Sequence, residues 1–164
     1  MEKWDLYDKN RNKLNKIVER GSTLSDDEYH LVVNGWVKND KDEFLITQRA
    51  PHKSFPYMWE CTGGSALSGE TSLQAVAREV KEELNIDIDL KKATLFNSTL
   101  RYYKGCPDIL DVWVIIDNTP IEQVKVQEEE VMDVMWASRE KIMELYKEGK
   151  FEANAFFEDV IKNG

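Results

Sequence analysis

The sequence predicts an α/β domain in which helices pack against a β-sheet. Short segments rich in β-branched and aromatic residues alternate with amphipathic segments of helical period along the 164 residues. Hydrophobic residues make up 41% of the chain, enough to bury a core without disulfides or a structural metal. The four prolines all fall between the periodic segments, as expected for loops.

The N-terminal residues 1–29 are polar and rich in charge. Residues 4–7 suggest a short strand, and residues 8–12 suggest a turn. Because this region holds too few apolar residues for a core of its own, we predict an N-terminal arm or hairpin packed on the main domain. Residues 30–164 are then the main domain, with helices at its C-terminal end.

The main domain contains both strand-like and helical segments. The predicted strands are residues 30–38, 43–49, 59–62, 93–103, 109–116 and 131–136. The predicted helices are residues 71–84, 138–148 and 155–161. Ser138 is a suitable N-cap for the second helix, and Gly149 is a suitable residue to end it.

Composition excludes several classes of function. The chain has 22 basic and 31 acidic residues, a net charge of −9, so it lacks the basic footprint that binds nucleic acid or anionic membranes. Its longest apolar run, residues 112–116, is too short to span a bilayer. No secretory signal pattern is visible, and the two cysteines are far apart, so we expect a cytoplasmic protein with reduced thiols.

A bound metal ion would need oxygen ligands in this chain. The two histidines cannot form a three-histidine zinc site. Carboxylates and backbone carbonyls are then the available ligands, and these are the donors that Mg²⁺ and Mn²⁺ prefer.

The most informative segment is the predicted helix 71–84. Thr71 is followed three residues later by Gln74, which is the pattern of a capping box at a helix start. Five apolar residues then share one helical face that can pack on a sheet: Leu73, Val76, Ala77, Val80 and Leu84.

Three glutamates cluster on a neighbouring face of this helix. Glu79, Glu82 and Glu83 stand at positions i, i+3 and i+4, where like charges repel one another. A divalent cation would reverse this repulsion by giving the carboxylates a shared positive partner. Arg78 precedes Glu82 by four residues and can orient its carboxylate through a hydrogen bond. The alternative is an ordinary solvated helix face, of which Lys81 is typical.

The segment from Gly64 to Ile86 resembles the Nudix box, a glycine followed by a spaced glutamate and an Arg-Glu…Glu-Glu helix. Gly64 is the first glycine, Glu70 is the spaced glutamate, and residues 78–84 match the helical part. Asn85 stands where the pattern has glycine, and asparagine is the next most tolerant residue for a left-handed helix end. The resemblance covers about residues 30–137.

This resemblance implies a Nudix-type α/β/α sandwich with a mixed β-sheet, in which the box forms a loop–helix–loop. It implies that Glu79 and Glu83 bind Mg²⁺ or Mn²⁺, with Glu82 and the Gly64 carbonyl completing the ligand set. The implied reaction is metal-dependent hydrolysis of a diphosphate bond in a nucleoside diphosphate linked to another moiety. A metal ion suits this chemistry because it can join an anionic substrate to an acidic site.

Candidates for the remaining roles lie in and outside the box. The general base is either a box glutamate, Glu79, or a carboxylate of the later run 128–130, where Glu129 is our candidate. Arg78 completes the predicted catalytic set. Arg49 and Arg101 are candidates for holding phosphate, and their alternative is a surface ion pair.

Isopentenyl-diphosphate isomerase is the alternative enzyme, because four segments outside the box resemble it: residues 4–8, 29–31, 48–50 and 130–136. Counting from Trp59, however, Gly64 occupies the position of the isomerase cysteine and Ala66 that of its histidine. Cys61 lies at the wrong offset. His30 matches one isomerase ligand, and Asp111 could replace one of the later carboxylates.

A nucleotide-sensing domain without catalysis is the third reading, and the intact box glutamates favour an enzyme over it. The substrate is expected to be a small diphosphate compound. Five aromatic residues are candidates for stacking on it, with the core as their alternative place: Trp36, Trp59, Tyr102, Tyr103 and Trp113. Exposed strand edges in the N-terminal arm favour a homodimer.

Overall fold

A computed structural model describes residues 1–164, which form nine β-strands and three α-helices. The strands are β1 (Lys3–Tyr7), β2 (Lys13–Glu19), β3 (His30–Lys38), β4 (Glu43–Arg49), β5 (Trp59–Glu60), β6 (Thr62–Ser65), β7 (Ala93–Arg101), β8 (Asp108–Ile116) and β9 (Val131–Ser138). The helices are α1 (Ser72–Leu84), α2 (Arg139–Lys147) and α3 (Phe157–Asn163). None of the helices has the length and apolar character needed to cross a bilayer.

Seven of the strands form one mixed sheet. Its main path is β5-β4-β3-β8-β7, with β6 paired to β3 and β9 paired to β4. The central pair, β3 and β8, is parallel along its whole length, and the other pairs are antiparallel. Because β6 pairs with β3 at Val32–Gly35, the loop that precedes α1 is anchored at the centre of the sheet.

Helix α1 covers one face of this sheet. Its buried residues Val76, Val80 and Leu84 pack with Val33 and other apolar residues of the central strands in a single core cluster. The helix approaches β3 closely at Gly35, where an added Cβ would lie 2.8 Å from the Val76 side chain. Only a residue without a side chain therefore allows this packing distance.

Helices α2 and α3 cover the opposite face. Ile142 and Leu145 of α2 and Val160 of α3 share a second core cluster with Trp36 and Phe44 of the sheet. Residues along β3 alternate between the two clusters, as the two-residue period of a strand requires. The arrangement is the α/β/α sandwich with a mixed sheet that the sequence predicted.

Element ends are shifted from the sequence prediction by up to two residues, and two larger differences occur. The predicted strand 59–62 is divided at Cys61, because β5 pairs with β4 whereas β6 pairs with β3. The strand β2 was not assigned from the sequence, since most of its residues are exposed and it has no buried alternation to detect.

The strands β1 and β2 form a separate two-stranded sheet, here called the N-terminal hairpin (residues 1–20). Trp4 stacks on His30 of β3 with 4.0 Å between ring centroids. Arg11 in the turn donates two hydrogen bonds, of 2.7 and 2.8 Å, to the fully buried carboxylate of Asp111 in β8. Ser98 donates a third, so Asp111 serves here to hold the hairpin on the main domain.

Replacing Arg11 by methionine should destabilise the fold by about 2 kcal/mol, because it leaves a buried carboxylate without its cation. The effect should be smaller than for a fully buried pair, since the Arg11 side chain is 45% exposed. Urea unfolding near neutral pH measures the difference. A matched control is Lys16→Met, which removes an exposed partner of Glu28 and should leave stability nearly unchanged.

The destabilisation should also depend on pH. Burial alone would raise the pKa of Asp111, but the hydrogen bonds from Arg11 and its other partners lower it below the ordinary value of 3.8. The stabilisation is therefore present above the unfolded pKa and is lost as the pH falls through the folded one. Equal destabilisation by Arg11→Met in neutral and strongly acidic solution would contradict this assignment.

Candidate active site

A cavity of about 290 Å³ opens where β6, the second half of α1 and the N-terminal hairpin meet. Its floor is backbone of β6, at Gly63, Gly64 and Ser65. One wall is acidic, with Glu60 beside the three glutamates of α1: Glu79, Glu82 and Glu83. Three basic residues, Arg20, Arg49 and Lys53, also line the cavity.

Helix α1 is held in place by the caps that the sequence predicts. The Gln74 backbone N–H donates to the Thr71 hydroxyl at 3.2 Å, and the Thr71 backbone N–H donates to the Gln74 side chain at 2.9 Å. At the other end, Asn85 adopts the left-handed conformation with φ of 56°. Asparagine thus adopts the left-handed conformation for which the family pattern has glycine at this position.

Arg78 organises the acidic residues around it. Its guanidinium donates to Glu70 at 2.6 Å, to Glu79 at 3.0 Å and to the Ser65 carbonyl at 3.0 Å. The predicted hydrogen bond to Glu82 is also present, at 3.2 Å. Arg78 therefore links the loop before α1 to the carboxylates of the helix through hydrogen bonds. These contacts are those expected of a positioning residue.

Gly64 is required by the position of the Glu79 side chain. A Cβ built on Gly64 would lie 2.2 Å from Oε1 of Glu79 and 2.4 Å from its Cδ. Any side chain at residue 64 would therefore displace the carboxylate. The close approach also brings the backbone of residue 64 next to Glu79, as the resemblance implied for a shared ligand set.

The acidic wall is electrostatically costly without a cation. Burial raises the pKa of Glu79 to about 7, although the Arg78 guanidinium opposes the shift. Burial, together with the charges of Glu79 and Glu60, raises the pKa of Glu83 well above 4.5. Burial raises the pKa of Glu60 as well, against the opposing effect of Arg49. A bound cation would stabilise the ionised forms of these carboxyls and so remove the cost of placing them together.

Side chains supply only part of the set of ligands that a hard divalent ion needs. No three side chains of Asp, Glu, His or Cys converge closely enough to hold a metal by themselves. Glu82 is half exposed and turned toward Arg78. Glu79, Glu83 and the adjoining backbone of Gly64 supply oxygen donors of the kind that Mg²⁺ and Mn²⁺ prefer.

The basic residues of the cavity are each paired with a carboxylate. Arg49 donates to both oxygens of Glu60, at 3.1 and 3.2 Å, and its other nitrogens hold Ser54 of the following loop. Lys53 forms an ion pair with Glu130. The cavity thus holds paired cations together with the glutamates of α1, an arrangement suited to an anion that binds through both a metal ion and basic side chains.

Three predicted site residues do not line this cavity: Arg78, which lies beside it and donates to Glu79 and Glu82, and Arg101 and Glu129, which lie farther away. Arg101 does not line it and instead donates two hydrogen bonds, of 2.7 and 2.8 Å, to the buried Asp108. The alternative in the sequence analysis was a surface ion pair; Arg101 does form an ion pair, but it is largely buried. Glu129 is exposed and does not line the cavity, whereas the next residue, Glu130, does. The turn before β9 directs only one of the three consecutive glutamates inward.

The predicted stacking residues are also outside the cavity lining. Trp36 packs in the core, edge-on to Phe44 with 5.4 Å between centroids. The Trp113 indole donates to the Ser72 hydroxyl at 2.8 Å and packs under α1. Tyr102 and Tyr103 are exposed in the turn that joins β7 to β8.

The sequence analysis did not identify four charged residues of the cavity: Glu2, Arg20, Lys53 and Glu60. Lys53 follows Arg49 by four residues in a loop, and this spacing is the one local signal that was available. Glu2 and Arg20 reach the site only because the hairpin folds back over the loop before α1. No residue pattern in the N-terminal region indicates that contact.

Comparisons with known proteins agree with this fold and site. The NUDIX domain model matches residues 28–160. An uncharacterised Nudix hydrolase of Listeria innocua is 39% identical over 153 residues, covering 92% of this chain and 88% of that protein. An isopentenyl-diphosphate Delta-isomerase of an Enterobacter strain is 30% identical over 112 residues, 65% of this chain and 60% of that protein. A Deinococcus radiodurans crystal structure superposes with a TM-score of 0.74 at 21% identity, covering 98% of both chains.

The fold and the relatives together define an enzyme that hydrolyses pyrophosphate-containing substrates. The chain belongs to the Nudix family, since the family model matches most of its length. The family, the fold class and the enzyme class that the sequence predicted are thereby confirmed.

Replacing Cys61 by alanine should leave hydrolase activity unchanged. The residue is buried, and burial raises the pKa of its thiol well above 9, so it is a poor nucleophile at neutral pH. Steady-state kinetics of Cys61→Ala on a hydrolysed diphosphate checks this. Complete loss of activity with an unchanged melting temperature would restore the isomerase reading, in which a cysteine near Trp59 is catalytic.

Proposed function

We propose that this enzyme hydrolyses a diphosphate bond in a nucleoside diphosphate linked to another moiety, and that it requires Mg²⁺ or Mn²⁺. The observation that carries the proposal is that acidic and basic side chains line the same cavity. The glutamates of α1 form one wall, and the basic residues Arg49 and Lys53 lie in the same lining. A diphosphate is the kind of ligand that needs both a cation on the acidic side and basic partners.

Glu79 and Glu83 are the proposed metal ligands, with Glu82 and the Gly64 carbonyl as further oxygen donors. Their burial supports this role, because it raises the pKa of both carboxyls by destabilising their ionised forms, and a bound cation would stabilise those forms. When bound, the divalent ion would neutralise phosphate oxygens and lower the pKa of an attacking water. Arg78 holds Glu79 and Glu82 through its hydrogen bonds, and Glu70 holds Arg78.

Arg49 is the proposed phosphate contact among the basic residues of the cavity. Its guanidinium is only 17% exposed and is oriented by two hydrogen bonds to Ser54 as well as by Glu60. A planar, pre-oriented guanidinium suits two oxygens of a phosphate group. Lys53 adds a second positive charge from the same loop. Arg101 is not proposed as a phosphate contact, because its guanidinium is hydrogen-bonded to Asp108.

The general base is proposed to be a cavity carboxylate that can take a proton from water. Glu79 remains a candidate within the box. In the turn before β9 the exposed Glu129 is a poorer candidate than Glu130, which lines the cavity beside Lys53. A base must lie within hydrogen-bond reach of the water it activates, and exposure away from the cavity does not meet this requirement.

Replacing Glu83 by glutamine should lower kcat by several orders of magnitude and weaken Mn²⁺ binding, because a metal ligand is removed. In EDTA the same variant should melt at a higher temperature than wild type at neutral pH. The folded pKa of Glu83 is raised above the unfolded value, so ionisation favours the unfolded chain as the pH rises. This gain should vanish in acid below the unfolded pKa.

Thermal melts with and without Mn²⁺, together with turnover of a diphosphate substrate, measure both effects. Saturation at about 100 times Kd should stabilise wild type by about 2.7 kcal/mol and Glu83→Gln much less. Glu158→Gln is the matched control, since Glu158 is exposed on α3 away from the cavity. Near-wild-type turnover by Glu83→Gln would remove this residue from the metal ligands.

Glutamine substitutions at the two neighbouring glutamates should separate the later base candidates. We expect Glu130→Gln to lower kcat about a hundredfold or more, the usual contribution of a general base. Glu129→Gln should have the smaller effect, because its side chain faces away from the cavity. Initial rates at saturating substrate and metal provide the comparison. The reverse ranking would return the role to Glu129.

A further inference from the structure

The N-terminal hairpin contributes a basic residue, Arg20, to the lining of the cavity. Arg20 directly follows β2, before the region that the family model matches. Its side chain is 62% exposed, compared with 17% for Arg49 and 28% for Lys53. It is therefore the basic group of this cavity most accessible to a ligand.

The hairpin is attached directly to the loop that precedes α1. The Ser68 backbone N–H donates to the Lys3 carbonyl at 2.8 Å. The Asp5 carboxylate accepts from the Ser68 hydroxyl and from the Gly69 N–H, each at 2.8 Å. These bonds hold the hairpin next to the loop that carries Glu70, the partner of Arg78. Arg20 is thus presented to the cavity by a fixed element rather than by a loose terminus.

The present partner of Arg20 can be replaced by a ligand. Its guanidinium donates to the Glu2 carboxylate at 2.8 Å, and its backbone N–H donates to the Glu2 carbonyl at 2.9 Å. The Glu2 side chain is 44% exposed, and ion pairs this exposed contribute little stability. The Glu2 carboxylate also faces the acidic wall, where its charge opposes the ionisation of Glu79.

The three basic residues line the same cavity and lie near enough to repel one another. Lys53 experiences repulsion from both Arg49 and Arg20, which adds to the effect of burial in lowering its pKa. These cations belong to two elements that are far apart in the chain, the hairpin and the loop after β4. An anion bound between them would replace this repulsion with attraction.

We propose that Arg20 is a substrate-binding residue that contacts a phosphate group of the diphosphate from the hairpin side of the cavity, in place of Glu2. The hairpin is then part of the active site. This inference rests on the proposed function, because it takes the bound anion to be the substrate's diphosphate.

Binding of methylenediphosphonate in the presence of Mg²⁺ tests the proposal without turnover. Isothermal titration calorimetry should give an affinity about tenfold lower for Arg20→Gln than for wild type, as expected when a charge-assisted hydrogen bond is lost. Arg20→Lys should recover part of the loss. Lys16→Gln is the matched control, since it removes one positive charge from β2 at a residue that does not line the cavity.

A second variant separates ligand binding from a structural role of the ion pair. Glu2→Gln removes the competing carboxylate, so it should bind the diphosphonate at least as tightly as wild type. If Arg20→Gln and Glu2→Gln weaken binding equally, the pair only stabilises the hairpin and the proposal is overturned. It is also overturned if wild type does not bind the probe, or if Arg20→Gln binds within about twofold of wild type.

Kinetics on diphosphate substrates distinguishes failure of this inference from failure of the proposed function. Turnover by wild type together with an unchanged KM and kcat for Arg20→Gln would support the function and overturn the role of Arg20. An absence of turnover on every nucleoside diphosphate derivative would overturn the function. An Arg20-dependent affinity for the diphosphonate would, in that case, still support an anion contact from the hairpin.

Discussion

The structure depends on a set of carboxyl groups held close together in a partly buried place. Glu79 and Glu83 lie on the helix face that borders the cavity, where burial disfavours their ionised forms. Arg78 supplies a positive charge to Glu79 and Glu82 from within the same helix, and the charge of Lys53 acts on Glu83. Most other features of the site serve to keep that helix face and that arginine in one position.

The position of α1 follows from two contacts with the sheet. Gly35 lets the helix pack closely against β3, and the pairing of β6 with β3 sets the start of the loop before the helix. Gly64 in β6 leaves room for the Glu79 carboxylate. The positions of the glutamates therefore depend on the glycines, because backbone without side chains leaves space for the acidic groups.

The N-terminal hairpin extends this unit beyond the residues of the family model. Asp5 binds the loop before α1, and Arg11 binds the buried Asp111 on the far strand β8. The hairpin thus bridges the loop before α1 and a central strand of the sheet, and two of its residues, Glu2 and Arg20, line the cavity. Acidic and basic groups of the cavity are largely paired with each other, so a charged ligand exchanges partners when it binds.

Local patterns in the sequence determined the elements and the acidic helix. The capping box at Thr71, the apolar stripe of α1 and the spacing of Glu79, Glu82 and Glu83 are short-range features, because helical geometry converts spacing directly into position. The family resemblance added the sandwich and the role of Gly64. Tertiary structure alone decided that Glu130 rather than Glu129 faces the cavity, that Arg101 is engaged with Asp108, and that Arg20 reaches the site. Those outcomes depend on contacts between segments distant in the chain, and a one-residue change of register reverses which side chain points inward.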